Sequence, residues 1–191
     1  LIGLALPNFK IQNGVTSNLL INIGISDFHQ SLEYVKKLPY GRNTIRSDFR
    51  LVIEEMKGTC STKHALLAEV CKESGMDSIK LMTGIYEMDE ENTPGVGEVL
   101  RKYKLDYIPE AHCYLKYNGK RYDFTMPVSS GEKNMRIVSE CEIGPAQIGE
   151  YKINYHRSYI ANWVHDQQLT SRFDLNRLWA IREECIKNLS K

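Results

Sequence analysis

An Asn-Gly pair at Asn118-Gly119 sits between two runs rich in aromatic and apolar residues, Ala111–Tyr117 and Lys120–Thr125. Both turn positions of a type I′ hairpin need positive φ, which Asn and Gly tolerate, so this pair is a strong two-residue hairpin signal. A two-residue loop fixes the register. It sets Tyr117 opposite Lys120 and Leu115 opposite Tyr122, then Tyr114 opposite Asp123, Cys113 opposite Phe124 and His112 opposite Thr125. Side chains alternate along a strand, so His112, Tyr114, Asp123 and Thr125 are expected on one face. Cys113, Leu115, Tyr122 and Phe124 form the other, an apolar face suited to packing on a helix. A one-residue slip would scramble this sorting. The hairpin therefore predicts an imidazole and a carboxylate as diagonal neighbours, within side-chain reach.

A third polar group belongs with them. Cys60 stands in Gly58-Thr59-Cys60-Ser61, where a helix is expected to begin near 59–61 and run to Ser74, with Gly75 just beyond it. A thiol at a helix N-terminus meets the positive end of the helix dipole and backbone N–H groups without helical partners, which favours the thiolate. The same N–H groups suit an oxyanion formed during acyl transfer. Cys60 as nucleophile, His112 as proton shuttle and Asp123 as the group that orients it make a complete acyl-transfer set.

The order Cys60, His112, Asp123, with GTCSTKHALLAEVCKESG first and EAHCYLKYNGKRYDFT later, resembles the transglutaminase-like superfamily. The matching positions are Cys60, Gly75, the run through Gly84-Ile85, His112-Cys113-Tyr114 and Asp123-Phe124-Thr125, within about residues 45–130. Tyr114 stands where that family usually has Trp, and Phe124 where it often has Pro or Ala. The resemblance implies a papain-like α+β core, with the Cys on a central helix packed on an antiparallel sheet. It implies action on protein or peptide amide bonds through a thioester, as peptidase, amidase, deamidase or acyl transferase. A non-catalytic binding or scaffold protein of the same fold is the alternative. Nothing in the motifs calls for a cofactor or a metal; no Asp-x-Asp-x-Asp-Gly calcium loop is evident.

The remaining chain fits this frame. A length of 191 residues is expected to form a single domain, with a core at about 26–130 and a strand and helical addition at about 131–191. Helices are expected from Ser26 or Asp27 to Leu38, from Ser47 to Gly58, at Val99–Leu105, at 152–167 and at 174–189. Strands are expected at Ile79–Ile85 and Arg136–Ile143. Residues 1–25 read as irregular, and 87–98, with five acids, as a solvated loop. In the helix after Cys60, Leu66 or Leu67, Val70 and Cys71 are expected to face inward. Lys63 reads as solvated or as positive potential near the thiol, and His64 as a surface or supporting residue.

Charge and cysteine usage bound the partners. Lys and Arg number 25 against 24 Asp and Glu, a net charge of +1, so a nucleic-acid partner is not expected. The five cysteines are an odd number and suit reduced thiols and a cytoplasmic setting. Cys71, Cys113 and Cys185 read as core residues, with Cys141 unassigned. Leu1–Leu6 is apolar but lacks the basic flank and length of a signal peptide, and no apolar run is long enough to span a bilayer.

Overall fold

The computed structural model describes residues 6–126 and 135–189. The apolar opening stretch up to residue 5 and the link 127–134 lie outside the described residues. The chain is α+β, with seven helices and a four-stranded antiparallel sheet. In chain order these are α1 (Ser17–Ile21), α2 (Phe28–Lys37), α3 (Leu51–Glu54), α4 (Cys60–Glu73), β1 (Lys80–Met88), α5 (Gly97–Tyr103), β2 (Ile108–Tyr117), β3 (Lys120–Tyr122), β4 (Ile137–Glu142), α6 (Glu150–Asp166) and α7 (Leu175–Asn188). A 3-10 turn at Pro145–Ile148 precedes α6. The strand order is β3-β2-β1-β4. The chain divides into two compact units, and β1, β2 and β4 contribute residues to both.

The first unit comprises Leu1–Thr83, Cys113–Ser129 and Cys141–Gly149. Its centre is α4, which touches α1, α2, α3 and the 3-10 turn and lies against the sheet. A helix covered on several sides cannot carry a single apolar stripe. Eleven of its 14 residues are accordingly buried, with both Leu66 and Leu67 fully so. Thr59 caps it: its hydroxyl accepts from the Thr62 N–H, and the Thr62 hydroxyl accepts from the Thr59 N–H. At the other end Gly75 has φ +72, and Met76 N–H and Gly75 N–H donate to Cys71 O and Lys72 O. This is a Schellman closure, which requires the left-handed conformation that glycine adopts without strain.

The expected hairpin forms with the expected register, Tyr117↔Lys120 and Leu115↔Tyr122. Asn118 and Gly119 have φ +47 and +75, as a type I′ turn requires. Cys113, Leu115 and Phe124 enter the first core and Tyr122 packs against it, so the apolar face is where the alternation puts it. The ladder is shorter than expected, however, and β3 stops at Tyr122. The Asp123 carboxylate bends back to accept from the Thr125 N–H and hydroxyl, a local turn that competes with strand pairing. The expected helix from Ser47 is also shorter, at Leu51–Glu54. Asp48 accepts from the Arg50 N–H, and Met56 adopts φ +51 and lies exposed, ending the helix early.

The second unit comprises Gly84–His112, Ser130–Glu140 and Glu150–Lys191, with its own apolar core. α7 packs on α5 and α6. Asp174 caps α7 by accepting from the Arg177 N–H. The acidic loop before α5 is tied down: Glu90 accepts from Gly95 N–H and Gly97 N–H, and Asp89 accepts from Asn92 N–H. Inside this core, Arg182 makes a bidentate pair with buried Glu110. Burial pushes the Glu110 carboxyl up, but the Arg182 charge and hydrogen bonds outweigh it and hold it at about 2. His156, also buried, donates from Nε2 to Pro109 O at 2.8 Å and sits edge-on to Trp179.

Burial pulls His156 down to about 4 despite the nearby Glu110 charge, from an ordinary value of 6.5. Its folded-state value lies below its unfolded one, so its contribution is complete above pH 6.5 and is lost as pH falls through 4. Trp163 and Trp179 both belong to this core, so tryptophan fluorescence reports on the second unit. Urea unfolding followed by that signal should show stability falling between pH 6.5 and 4, with His156→Gln flattening the profile. An equally steep profile in the variant would refute this origin.

Candidate active site

Cys60 is the first residue of α4 and is 8% exposed. Its position follows from the Thr59–Thr62 cap, which is itself braced from outside the helix. The Thr62 hydroxyl donates to Asn43 Oδ1 at 2.8 Å, and Asn43 Nδ2 donates to Lys57 O and to Glu55. Around the thiol, the Ser61 hydroxyl lies 3.9 Å from Cys60 Sγ and 3.6 Å from Cys113 Sγ. The Cys113 S–H donates to Ser61 Oγ, and between the Ser61 hydroxyl and the Cys60 thiol either group can be the donor.

Lys63 and His64, three and four residues after Cys60 on α4, hold the segment that carries Asp123. Lys63 is wholly buried, and its Nζ donates to Leu38 O and Thr125 O, each at 2.6 Å. His64 is also wholly buried. Its Nδ1–H donates to Cys60 O at 2.8 Å, and its Nε2 accepts from the Phe124 N–H at 2.8 Å. These partners fix the neutral tautomer with the proton on Nδ1. The 3.6 Å approach of His64 Nε2 to Asp123 Oδ1 is therefore a proximity rather than an ion pair. Both ring nitrogens serve backbone groups, so His64 is not placed as a metal ligand or general base in this state.

Lys63 and His64 thus clasp Thr125 and Phe124, and Asp123 is fixed one residue away. Of the alternatives the sequence left open, burial excludes a solvated Lys63 and a surface His64, and leaves a supporting role for each; the bonds to the Asp123 segment were not anticipated. The available signal was their place in a helix that is buried almost all round. Burial pulls the Lys63 ammonium down to about 8, against the opposing charges of Asp123 and Cys60. Both candidate groups therefore lie within electrostatic reach of one buried cation.

Cys60 and Asp123 belong to the first unit, and His112 closes a segment of the second. His112 is half-buried on β2, edge-on to Tyr86 at 6.3 Å between ring centres. Tyr114, buried on the same strand, lies under the Arg121 guanidinium at 5.6 Å, a packing role. Cys71, Cys113 and Cys185 are buried, as expected, and Cys141, unassigned from sequence, is half-buried. Burial pushes the Cys71 thiol up, and raises Cys185 to about 11 with help from Glu110 and Glu184.

Among the described residues, no helix is long and apolar enough to cross a membrane. No family model, curated protein or solved structure matches this chain.

His64→Leu removes both ring bonds and strands the buried Phe124 N–H. Leaving such a donor unsatisfied costs about 1–3 kcal/mol. Denaturant unfolding should show a loss of that order, and amide exchange at Phe124 should accelerate. Unchanged protection at Phe124 would remove the clasp from the account.

Proposed function

We propose that the chain is a transglutaminase-like cysteine-dependent hydrolase or acyltransferase, with Cys60, His112 and Asp123 as its catalytic residues. The observation that supports this is that Cys60 begins a capped 14-residue helix to which the two residues after Asp123 are bonded. The motif order resembling the transglutaminase-like superfamily supports it, as does the polar setting of the Cys60 thiol.

The reaction follows from the groups. The Cys60 thiolate attacks the carbonyl carbon of a protein or peptide amide, and the carbonyl oxygen takes the negative charge. N–H groups of the first turn of α4 stabilise that oxyanion. Imidazolium His112 gives its proton to the departing nitrogen as the C–N bond breaks, leaving a thioester on Cys60. His112 then takes a proton from water or an incoming amine, whose oxygen or nitrogen attacks the thioester carbon. The acid or new amide leaves, and the thiolate–imidazolium pair returns. This reading gives Asp123, whose Oδ1 accepts from Thr125, the role of orienting His112. Water gives hydrolysis or deamidation and an amine gives transamidation; the triad is common to all.

Iodoacetamide alkylation across pH 5 to 9, with the modified cysteine mapped, tests the proposal. Cys60 should react selectively with an apparent pKa well below the ordinary thiol value of about 8.5. Buried Cys71 and Cys185, with raised thiol pKa values, should lag. His112→Ala should raise the Cys60 value. Alkylation of Cys60 indistinguishable from a free thiol would favour the non-catalytic alternative.

A further inference from the structure

The three residues leading into His112 are held by side chains of α6 and α7, all within the second unit. The hairpin explains why they need holding. Tyr117 and Lys120 close its two-residue loop, so residues of the same parity along β2, Leu115 and further back Ala111 and Pro109, turn their backbone groups to the side on which β3 pairs. That pairing goes no further than Leu115↔Tyr122. Pro109 has no N–H to leave unpaired, which suits such an edge. The carbonyls are covered by one face of α6: Lys152 Nζ donates to Ala111 O at 3.0 Å, and His156 Nε2 to Pro109 O at 2.8 Å. Four residues of helix and two of strand each advance about 6–7 Å, so the two donors match the two acceptors. Between them, Glu110 takes the bidentate grip of Arg182 from α7.

We propose that Lys152 is a positioning residue for His112, seated on the carbonyl of the peptide that joins Ala111 to His112. This rests on the reading of His112 as the proton shuttle, and it gives the C-terminal helices a part in that reaction. A peptide group is planar, so a bond to Ala111 O fixes the plane from which the His112 side chain departs. An ammonium donor makes that bond charge-assisted, roughly twice as strong as a neutral one. The ring itself meets Tyr86 edge-on at 6.3 Å between centres. Tyr86 is buried, and its hydroxyl lies 3.2 Å from Thr93 Oγ1, which donates to Asn92 Oδ1. The imidazole is thus set through its backbone by α6 and through its ring by a tyrosine of β1. A misplacement of about 1 Å can cost a reacting group roughly 100-fold. Lys152 is half-buried, so water can take its place on the carbonyl when it is removed. A lysine that merely covered a strand edge would then leave the chemistry unmoved.

The test follows iodoacetamide alkylation of Cys60 against pH in the full chain. It compares wild type, Lys152→Met, Lys152→Arg, His112→Ala and the double variant His112→Ala/Lys152→Met. Lys152→Met should raise the Cys60 half-point by at least half of the shift that His112→Ala causes. For a full shift of about one pH unit, that is a roughly threefold loss of thiolate below the half-point. Lys152→Arg, which keeps donor and charge, should stay near wild type. In the His112→Ala background Lys152→Met should add nothing, because its effect runs through the imidazole. A second measurement needs no variant to fold: the His112 amide in wild type should show the NMR order parameter of rigid backbone, about 0.85. A half-point lowered by His112 but unmoved by Lys152→Met, or moved equally with His112 absent, would overturn the positioning role and leave the nucleophile and shuttle standing. A His112 order parameter below about 0.6 would overturn it too. A wild-type Cys60 titrating near the ordinary value of about 8.5, or unmoved by His112→Ala, would overturn both readings.

Discussion

Two buried side chains, Lys63 and His64, join the central helix to the segment leaving the hairpin, and the first unit is organised around that junction. Each uses its polar atoms on backbone: Leu38 and Thr125 carbonyls for the lysine, the Phe124 N–H and Cys60 carbonyl for the histidine. Backbone left behind by a strand that stops early needs such partners, because buried N–H and C=O groups without them are expensive. β3 is only three residues long because Asp123 turns the chain. The helix supplies what the ladder no longer does.

That junction also shows how far a sequence can be read. The hairpin register was legible because Asn-Gly specifies the turn and the alternation of Cys113, Leu115 and Phe124 specifies the face. The start and end of α4 were legible from Thr59 and Gly75, whose capping roles are local. What was hidden depends on residues distant in sequence. Lys63 and His64 read from sequence either as surface residues or as supporting groups near the thiol, and only the encirclement of α4 by α1, α2, α3 and the 3-10 turn decides for the interior. The premature end of β3 was hidden for a related reason. Asp123 and Thr125 fit a strand pattern, but their side-chain-to-backbone bonds favour a turn.

The two units keep their polar interiors differently. In the first, buried Lys63 is set against backbone carbonyls and the charges of Cys60 and Asp123. In the second, Glu110 and Arg182 neutralise one another in a bidentate pair, and His156 is held neutral beside them. A matched pair of opposite side-chain charges specifies geometry and is chemically quiet. A cation held by backbone carbonyls lacks such a bidentate side-chain partner, and burial pulls its ammonium down to about 8.

The clasp has a consequence in time. Its bonds span 60 and 62 residues of chain, far beyond the reach of any local element. During synthesis α4 and its cap are complete once Gly75 has emerged, but Phe124 and Thr125 have not yet been made. Until they arrive, Cys60 sits on a helix without its clasp and Lys63 lacks its second carbonyl. The thiol's surroundings are therefore assembled only after most of the chain exists, so a nascent fragment carries the sulfur without the environment that the finished protein builds around it.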